Sequence, residues 1–218
     1  MQRVTPLRVT AYLAGPVCLP TRHLALDGLL AWAIAARDGL PPPAVASDCQ
    51  PIEIPIAREP GGRFHLCSHA VYTPEVHEHR WLNRRFPLPE AQSFGSAKLR
   101  TVRINGGPCK SYRLPLDTMW LVGDRINWWC VGDPDAIAEL VDLVGYVGKK
   151  RATGLGKVAR WTVNECDPWG PGYPVVRDGR PLRPLPLDWP GITESATAYQ
   201  CLTYPYWDHQ AEELCAVP

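Results

Sequence analysis

The amino-acid sequence predicts an α+β fold, and three observations lead to this class. Residues 24–37 and 134–144 carry the apolar periodicity and the end signals of two separate helices. Several other segments alternate apolar and polar residues, as strands of a half-exposed sheet do. Each helical segment lies between predicted strands, so helices and strands should pack as layers of one domain.

The first half of the chain supplies a strand, a helix and a hairpin. Residues 7–14 (LRVTAYLA) alternate in polarity and end at Gly15-Pro16, which predicts a strand. Residues 24–37 (LALDGLLAWAIAAR) predict an amphipathic helix that ends at Asp38-Gly39. Residues 51–57 and 63–72 flank a Pro-Gly-Gly turn and predict a hairpin.

The second half repeats the order of strand, helix and strand. Residues 118–131 predict a hairpin or one long bent strand. Asp133 and Pro134 are typical of a helix start, so the helix of 134–144 should begin there. A glycine-rich run, GKKRATGLGKV, leads from this helix into a strand over 157–166, and Arg177-Asp178-Gly179-Arg180 predicts a small hairpin.

This order predicts a ferredoxin-like βαββαβ core with an elaborated middle. We assign residues 1–165 to the core, with an irregular, thumb-like basic insertion over about 73–117. Its second half should hold two short basic strands around Asn105-Gly106-Gly107. Residues 166–218 form a proline-rich, acidic extension, expected either to pack on the core or to dock a partner.

Positive charge is concentrated in two islands, although the net charge is only +1. Residues 76–113 carry eight Lys/Arg against two acids, and residues 143–161 carry five Lys/Arg and no acid. Residues 114–142 and 162–218 each carry a charge of −5. Two basic islands on a nearly neutral chain indicate a localised polyanion site. The alternative is that these segments are solvated loops.

The glycine-rich run does not match the nucleotide-binding motifs. A Walker A loop would need glycine where Arg151 stands and a hydroxyl residue where Val158 stands. A dinucleotide fingerprint leads from a strand into a helix, whereas this run leads from a helix into a strand. What remains is a loop of accessible backbone amides among cations, which suits an RNA or DNA backbone. A simple basic turn is the alternative.

The loop and the N-terminal segment together resemble a known family. Gly148, Gly154, Leu155 and Gly156 are similar to the G-x5-G-h-G loop of the RAMP superfamily of CRISPR-associated RNA-binding proteins, although Tyr146 stands where that loop usually has another glycine. LRVTAYLAGPV followed by LALDGLLAWAIAAR resembles the opening of the small RAMP subunit of type IV CRISPR effector complexes. The resemblance covers about residues 7–165.

The resemblance implies a non-catalytic subunit that caps the 5′ handle of the CRISPR RNA. Its expected partners are that RNA, a multi-copy backbone RAMP subunit and a large-type subunit, with target DNA near the recognition motif left open. No membrane partner is expected. The expected RNA-binding residues are Gly148, Lys149, Lys150, Arg151, Gly154, Gly156 and Lys157 of the loop, and Arg80, Trp81, Arg84, Arg85, Lys98, Arg100, Arg103 and Lys110 of the insertion.

Two enzymatic alternatives stay open at this point. Relatives with this fold and loop include metal-independent CRISPR RNA-processing endoribonucleases, for which His23 beside Arg22 is the candidate acid or base. A metal site would draw on His65, Cys67 and His69, with His77 and His79 nearby in sequence. We expect no cofactor and no metal.

The cysteines and the hydropathy pattern bear on location. The eight cysteines contain no C-x-x-C pair, and the N-terminus does not fit a secretory signal, so free thiols are expected. The sequence has no run of about 18 apolar residues that would span a membrane. We therefore expect a cytoplasmic protein.

Overall fold

A three-stranded antiparallel sheet forms the centre of the computed structural model, which describes residues 4–19, 24–41, 45–84, 105 and 110–218. Two helices, α1 (Leu26–Arg37) and α2 (Pro134–Asp142), accompany it. The strands are β1 (Thr5–Leu13), β2 (Pro74–Arg84), β3 (Tyr112–Leu121), β4 (Arg125–Gly132), β5 (Val158–Glu165), β6 (Val176–Arg177), β7 (Arg180–Pro181), β8 (Leu185–Pro186), β9 (Ala196–Gln200) and β10 (Glu213–Val217).

Strand β1 lies in the middle of this sheet, between β4 and β5. Both pairings are antiparallel, and Val9 lies opposite Trp128 on one side and Val163 on the other. Side chains alternate along a strand, so Leu7, Val9 and Ala11 share one face, and all three are fully buried. The apolar alternation that predicts β1 therefore sets which face of the sheet meets the core.

The two helices pack into the same buried cluster as that face. Leu30, Ala31 and Ala33 of α1 are fully buried, as is Ile137 of α2. The side chain of Asp133 accepts hydrogen bonds from the amides of Asp135 and Ala136, so the predicted cap is confirmed. The observed helix ends differ from the predicted ones by two residues, because α1 starts at Leu26 and α2 stops at Asp142.

The predicted hairpin of 51–57 and 63–72 forms only single bridges. Prolines interrupt the first arm, and proline lacks the N–H that a ladder of hydrogen bonds requires. Arg58 still bridges His65 across the predicted turn. The segment otherwise lines the free edge of β4, through the pairs Ile56–Gly132, Cys67–Cys130 and Val71–Asn127.

The middle of the chain is more regular than its sequence indicates. Strands β2 and β3 pair along their whole length as a two-stranded ribbon, so the prediction of an irregular insertion was wrong for these residues. Of the two alternatives predicted for 118–131, the hairpin is wrong, because β3 pairs with β2 while β4 pairs with β1. A short turn at Val122–Asp124 separates the two strands. The predicted turn at Asn105 falls largely outside the described residues.

The C-terminal extension has small sheets and a buried cluster of its own. The predicted hairpin at 177–180 is confirmed, since β6 pairs with β7. Phe64 contributes to the second cluster together with Val176, Leu185 and Cys215. The hydroxyl of Tyr173 donates to the carbonyls of Leu7 (2.7 Å) and Cys130 (3.0 Å). These contacts pack the extension against β1 and β4 of the central sheet.

Two further expectations concern the thiols and the membrane. The seven cysteines in the described part of the chain are all free, and Cys109 lies outside it. Among the helices of the described ranges, none is long and apolar enough to cross a membrane.

Candidate nucleic-acid interface

The glycine-rich run forms a loop whose two ends are tied together. Tyr146 and Lys157 form an antiparallel bridge, and the Val147 amide donates to the Gly156 carbonyl at 2.8 Å. Gly156 has a φ of +69°, and a Cβ there would collide with the carbonyl oxygen of Val147. Only glycine fits this closure. Gly156 is therefore needed because two backbone segments approach closely, and not because the loop must be flexible.

The tip of the loop turns outward and carries the cations. Lys150 has a φ of +60°, an uncommon backbone conformation for a residue with a side chain. The Thr153 amide and hydroxyl both bond to the Lys150 carbonyl, at 2.9 and 2.7 Å, and hold this turn. The four loop cations are exposed and, within the described residues, none pairs with a carboxylate; they are Lys149, Lys150, Arg151 and Lys157.

The segment that follows β1 joins the loop to the ribbon. The carbonyls of Pro16 and Cys18 accept hydrogen bonds from the amides of Gly156 (2.9 Å) and Lys149 (2.7 Å). Between them, Val17 exchanges two backbone hydrogen bonds with Met119 of β3, both at 2.9 Å. One stretch of three residues therefore contacts both the loop and strand β3 of the ribbon, although Met119 itself lies in the acidic segment 114–142. The structure therefore places the loop beside the base of the ribbon, which is the end where Pro74 pairs with Leu121.

Helix α1 adds an aromatic side chain that the sequence analysis missed. The guanidinium carbon of Arg151 lies 5.3 Å from the centre of the Trp32 ring, which is 43% exposed. Trp32, Tyr146 and Gly154 help to line an open groove beside the loop. Its position on the helix could have indicated an exposed ring, because Trp32 lies outside the buried stripe of α1. An exposed tryptophan beside a cation provides a stacking surface.

The ribbon carries a second pairing of cation and ring. The guanidinium carbon of Arg113 lies 4.1 Å from the centre of the Trp81 ring, and Trp81 is 52% exposed. Arg80 is less available, because it donates twice to the same carboxylate oxygen of Glu78. That contact holds the pKa of Glu78 below its ordinary value. On the described ribbon, Trp81 and Arg113 are therefore better placed than Arg80 to contact a nucleic acid.

Other residues that the sequence predicts to bind or cleave RNA are exposed, already paired, or outside the described residues. Lys110 is exposed. Arg84 lies on β2 and has an interaction partner already. Five predicted residues lie outside the described residues: Arg85, Lys98, Arg100 and Arg103 of the insertion, and His23, the candidate acid or base.

His65 and Cys67 of the predicted metal cluster lie beside a buried arginine. Arg183 of the extension donates to the carbonyls of His65 (2.6 Å) and Cys67 (3.1 Å), and it lies 3.4 Å from the Cys67 sulfur. Burial raises the pKa of the Cys67 thiol, whereas a metal ligand must be deprotonated. Across the described ranges, no three His, Cys, Asp or Glu side chains are grouped as a metal site.

The other two histidines lie apart from that cluster. His77 and His79 are exposed on β2, and His79 lies 2.7 Å from Asp117. His65 and His69 are buried instead. The fold therefore does not bring the two pairs together.

Comparison with known proteins assigns part of the chain to a family. The family model described as CRISPR type IV associated protein Csf3 matches residues 94–218, which is more than half of the chain. The match includes the glycine-rich loop and the whole C-terminal extension. No curated protein matches the chain.

Proposed function

Because the chain belongs to the Csf3 family of CRISPR type IV associated proteins, we propose that it is an RNA-binding subunit that caps the 5′ handle of the CRISPR RNA. The family makes it a component of a type IV CRISPR complex. The proposal adds the ligand, its position and a role without catalysis. The expected protein partners are the multi-copy backbone subunit and the large-type subunit of that complex.

The observation that carries the proposal is the junction at Pro16–Cys18. It places the loop cations beside the base of the ribbon through the backbone hydrogen bonds of Pro16, Val17 and Cys18. Exposed cations without carboxylate partners attract phosphates, and binding releases the counterions of the nucleic acid. Trp32 and Trp81, each close to an arginine, offer rings on which unpaired bases can stack.

The topology supports a ferredoxin-like core for this subunit. In chain order the central elements are β1, α1, β4, α2 and β5, and the sheet order is β4-β1-β5. We assign the missing second strand to residues 56–71, which bridge the free edge of β4 at three points. Pro60 and the glycine pair of this segment account for its irregular pairing.

The experiment reverses the charge of the loop tip. We expect Lys149→Glu/Lys150→Glu/Arg151→Glu to weaken binding of 5′-handle RNA and to flatten its salt dependence. If three phosphate contacts are lost, the slope of log K against log salt should fall by about 2. Fluorescence anisotropy over a range of salt concentrations measures both quantities.

A control variant separates local from overall charge. Arg37→Glu/Arg58→Glu/Arg180→Glu changes the net charge equally at three exposed arginines outside the loop and ribbon. Arg37 and Arg180 already pair with Asp38 and Glu194. This control should keep most of the affinity and the salt slope. Equal losses in both variants, or none in the loop variant, would contradict the proposal.

A further inference from the structure

The face of the central sheet that points away from the helices carries cations and aromatic rings in ordered rows. Register places Arg125, Tyr12 and Arg160 side by side in one row across β4, β1 and β5. The middle row is Asn127, Thr10 and Thr162, and the third row is Trp129, Arg8 and Asn164. Directly opposed side chains on one face lie about 5 Å apart, so the side chains of each row are neighbours. Thr10, at the centre of the middle row, is buried, whereas all three arginines of the outer rows are exposed.

The charged side chains of these three rows are all basic. Arg8, Arg125 and Arg160 are exposed and, in the part of the chain that the structure describes, form no ion pair with a carboxylate. The three rows contain no Asp or Glu. Polar side chains of sheets usually mix both signs of charge, whereas a surface with one sign attracts a polyanion.

The row of Arg125, Tyr12 and Arg160 combines charge with a stacking surface. The guanidinium carbon of Arg160 lies 3.7 Å from the centre of the Tyr12 ring, while Arg160 itself remains exposed. A guanidinium that lies over a ring leaves its other side for a further planar group. Unpaired bases stack on both aromatic rings and arginine planes.

The C-terminal extension packs on Trp129 at the opposite end of the face, whereas Arg8 in the same row stays exposed. Trp169 packs edge-on against Trp129 with ring centres 5.5 Å apart, and the guanidinium carbon of Arg177 lies 5.7 Å from the Trp129 ring. Between the two ends, the Thr10 hydroxyl donates to the Asn127 side-chain oxygen at 2.9 Å. The row of Tyr12 is therefore the accessible end.

We infer that this sheet face is a second binding surface, which takes a single-stranded polynucleotide with a base on the Tyr12–Arg160 pair and phosphates on Arg125 and Arg8. The inference rests on the proposed nucleic-acid binding of the chain, but it uses residues other than the loop and the ribbon. A single strand fits because stacking needs an unpaired base, and the alternation of cations and polar groups follows a backbone.

The test uses two probes and two variants of the full chain. A fluorescein-labelled oligouridylate and the matching oligothymidylate report binding of RNA and DNA strands. We expect Tyr12→Leu/Arg160→Gln to weaken the binding of at least one probe about tenfold. Arg8→Gln/Arg125→Gln, which leaves the ring in place, should reduce the salt slope. Arg180→Gln, in the extension, is the control and should change neither quantity.

Crosslinking separates this surface from the loop. Irradiation of an oligonucleotide carrying 5-iodouridine should attach it to the peptide that contains Tyr12. This crosslink should persist when Lys149, Lys150 and Arg151 are reversed to glutamate. Thermal unfolding of each variant shows whether a loss of binding comes from loss of the fold, and the Arg8/Arg125 variant decides the question if the Tyr12 variant is unstable.

Several results would overturn the inference. If both sheet variants bind the probes as the wild type does while the loop variant loses handle RNA, the sheet inference fails and the proposed function stands. If the wild type binds no nucleic acid, both fail. If polyglutamate binds through Arg8, Arg125 and Arg160 and the oligonucleotides do not, the occupant is an acidic protein segment. A difference between the two probes assigns the face to RNA or to DNA.

Discussion

Arg183 and Asp27 form an ion pair between the C-terminal extension and helix α1, and both side chains are completely buried. The guanidinium nitrogen lies 3.7 Å from the carboxylate oxygen. The Tyr206 hydroxyl, also in the extension, lies 2.6 and 2.7 Å from the two carboxylate oxygens. His65 lies 3.6 Å from the same carboxylate. The extension is therefore tied to the core by a buried polar network as well as by apolar packing.

The same arginine also satisfies backbone groups that would otherwise be buried without partners. It donates to the carbonyls of His65, Cys67 and Leu202. A buried charge is costly unless it is paired and hydrogen-bonded. The Arg183 guanidinium has both an ion-pair partner and hydrogen bonds. Removing one partner should therefore cost more than removing both.

Asp27→Asn should destabilise the protein by about 3–5 kcal/mol, because it leaves the Arg183 charge buried without its counter-ion. Urea unfolding followed by circular dichroism measures the change. Asp38→Asn is the control, since Asp38 is exposed and solvent screens its pairing with Arg37. The double variant Asp27→Leu/Arg183→Met should be more stable than Asp27→Asn. Equal effects of Asp27→Asn and Asp38→Asn would argue against the buried network.

The same pair predicts a dependence of stability on pH. Burial by itself raises the pKa of Asp27, but Arg183, His65 and Tyr206 outweigh it and hold this pKa well below its ordinary value. The contribution of the carboxylate is complete above the unfolded-state pKa of about 3.9 and is lost as pH falls below it. The free energy of unfolding should fall with pH in that acid range. Urea titrations at each pH should show a shallower slope for Asp27→Asn, and identical slopes would contradict the assignment.

Two glycines of the loop should respond differently to alanine. Both have positive φ, so each substitution carries a backbone cost of about 1–2 kcal/mol. A Cβ at Gly154 meets open space, whereas one at Gly156 collides with the Val147 carbonyl. Gly156→Ala should therefore lower the free energy of unfolding clearly more than Gly154→Ala. Chemical denaturation of the two variants checks this order, and the reverse order would show that the loop closes in another way.

The proposed role without catalysis predicts that the purified protein leaves repeat RNA intact. Incubation with labelled repeat RNA in the presence of EDTA, followed by a denaturing gel, tests for metal-independent cleavage. His23→Ala is the matched variant, because His23 is the candidate acid or base of the endoribonuclease alternative. Cleavage by the wild type that this variant abolishes would overturn the role. Cleavage that persists in the variant would point to a contaminating nuclease.

Local chemistry was readable from the sequence where few residues decide the outcome. The Asp133 cap and Pro134 place the start of α2, and the alternation of 7–14 predicts β1 to within two residues at its start and one at its end. The hairpin at 177–180 follows from Asp178-Gly179, both of which adopt positive φ. The glycines and cations of 148–157 predicted a loop among cations, and these cations are exposed in the structure. Each of these features depends on backbone preferences within a few residues.

Strand β2 of the ribbon could not be predicted from local sequence preferences. Residues 74–84 hold charged and bulky side chains without a clean alternation, and most of them are exposed. They form a strand because β3 supplies a partner along its whole length. Pairing between distant segments outweighs weak local preference, since strand propensity depends on the neighbours that a residue meets.

By itself, the sequence determined the α+β class, the two helices, the basic loop and the resemblance to type IV CRISPR subunits. Only the tertiary structure decided that Pro16–Cys18 joins the loop to the ribbon, that Tyr12 and Arg160 form one stack, and that Arg183 pairs with Asp27. The physical reason is that these contacts join residues far apart in the chain. Their geometry depends on strand register and on burial, which are properties of the folded chain as a whole.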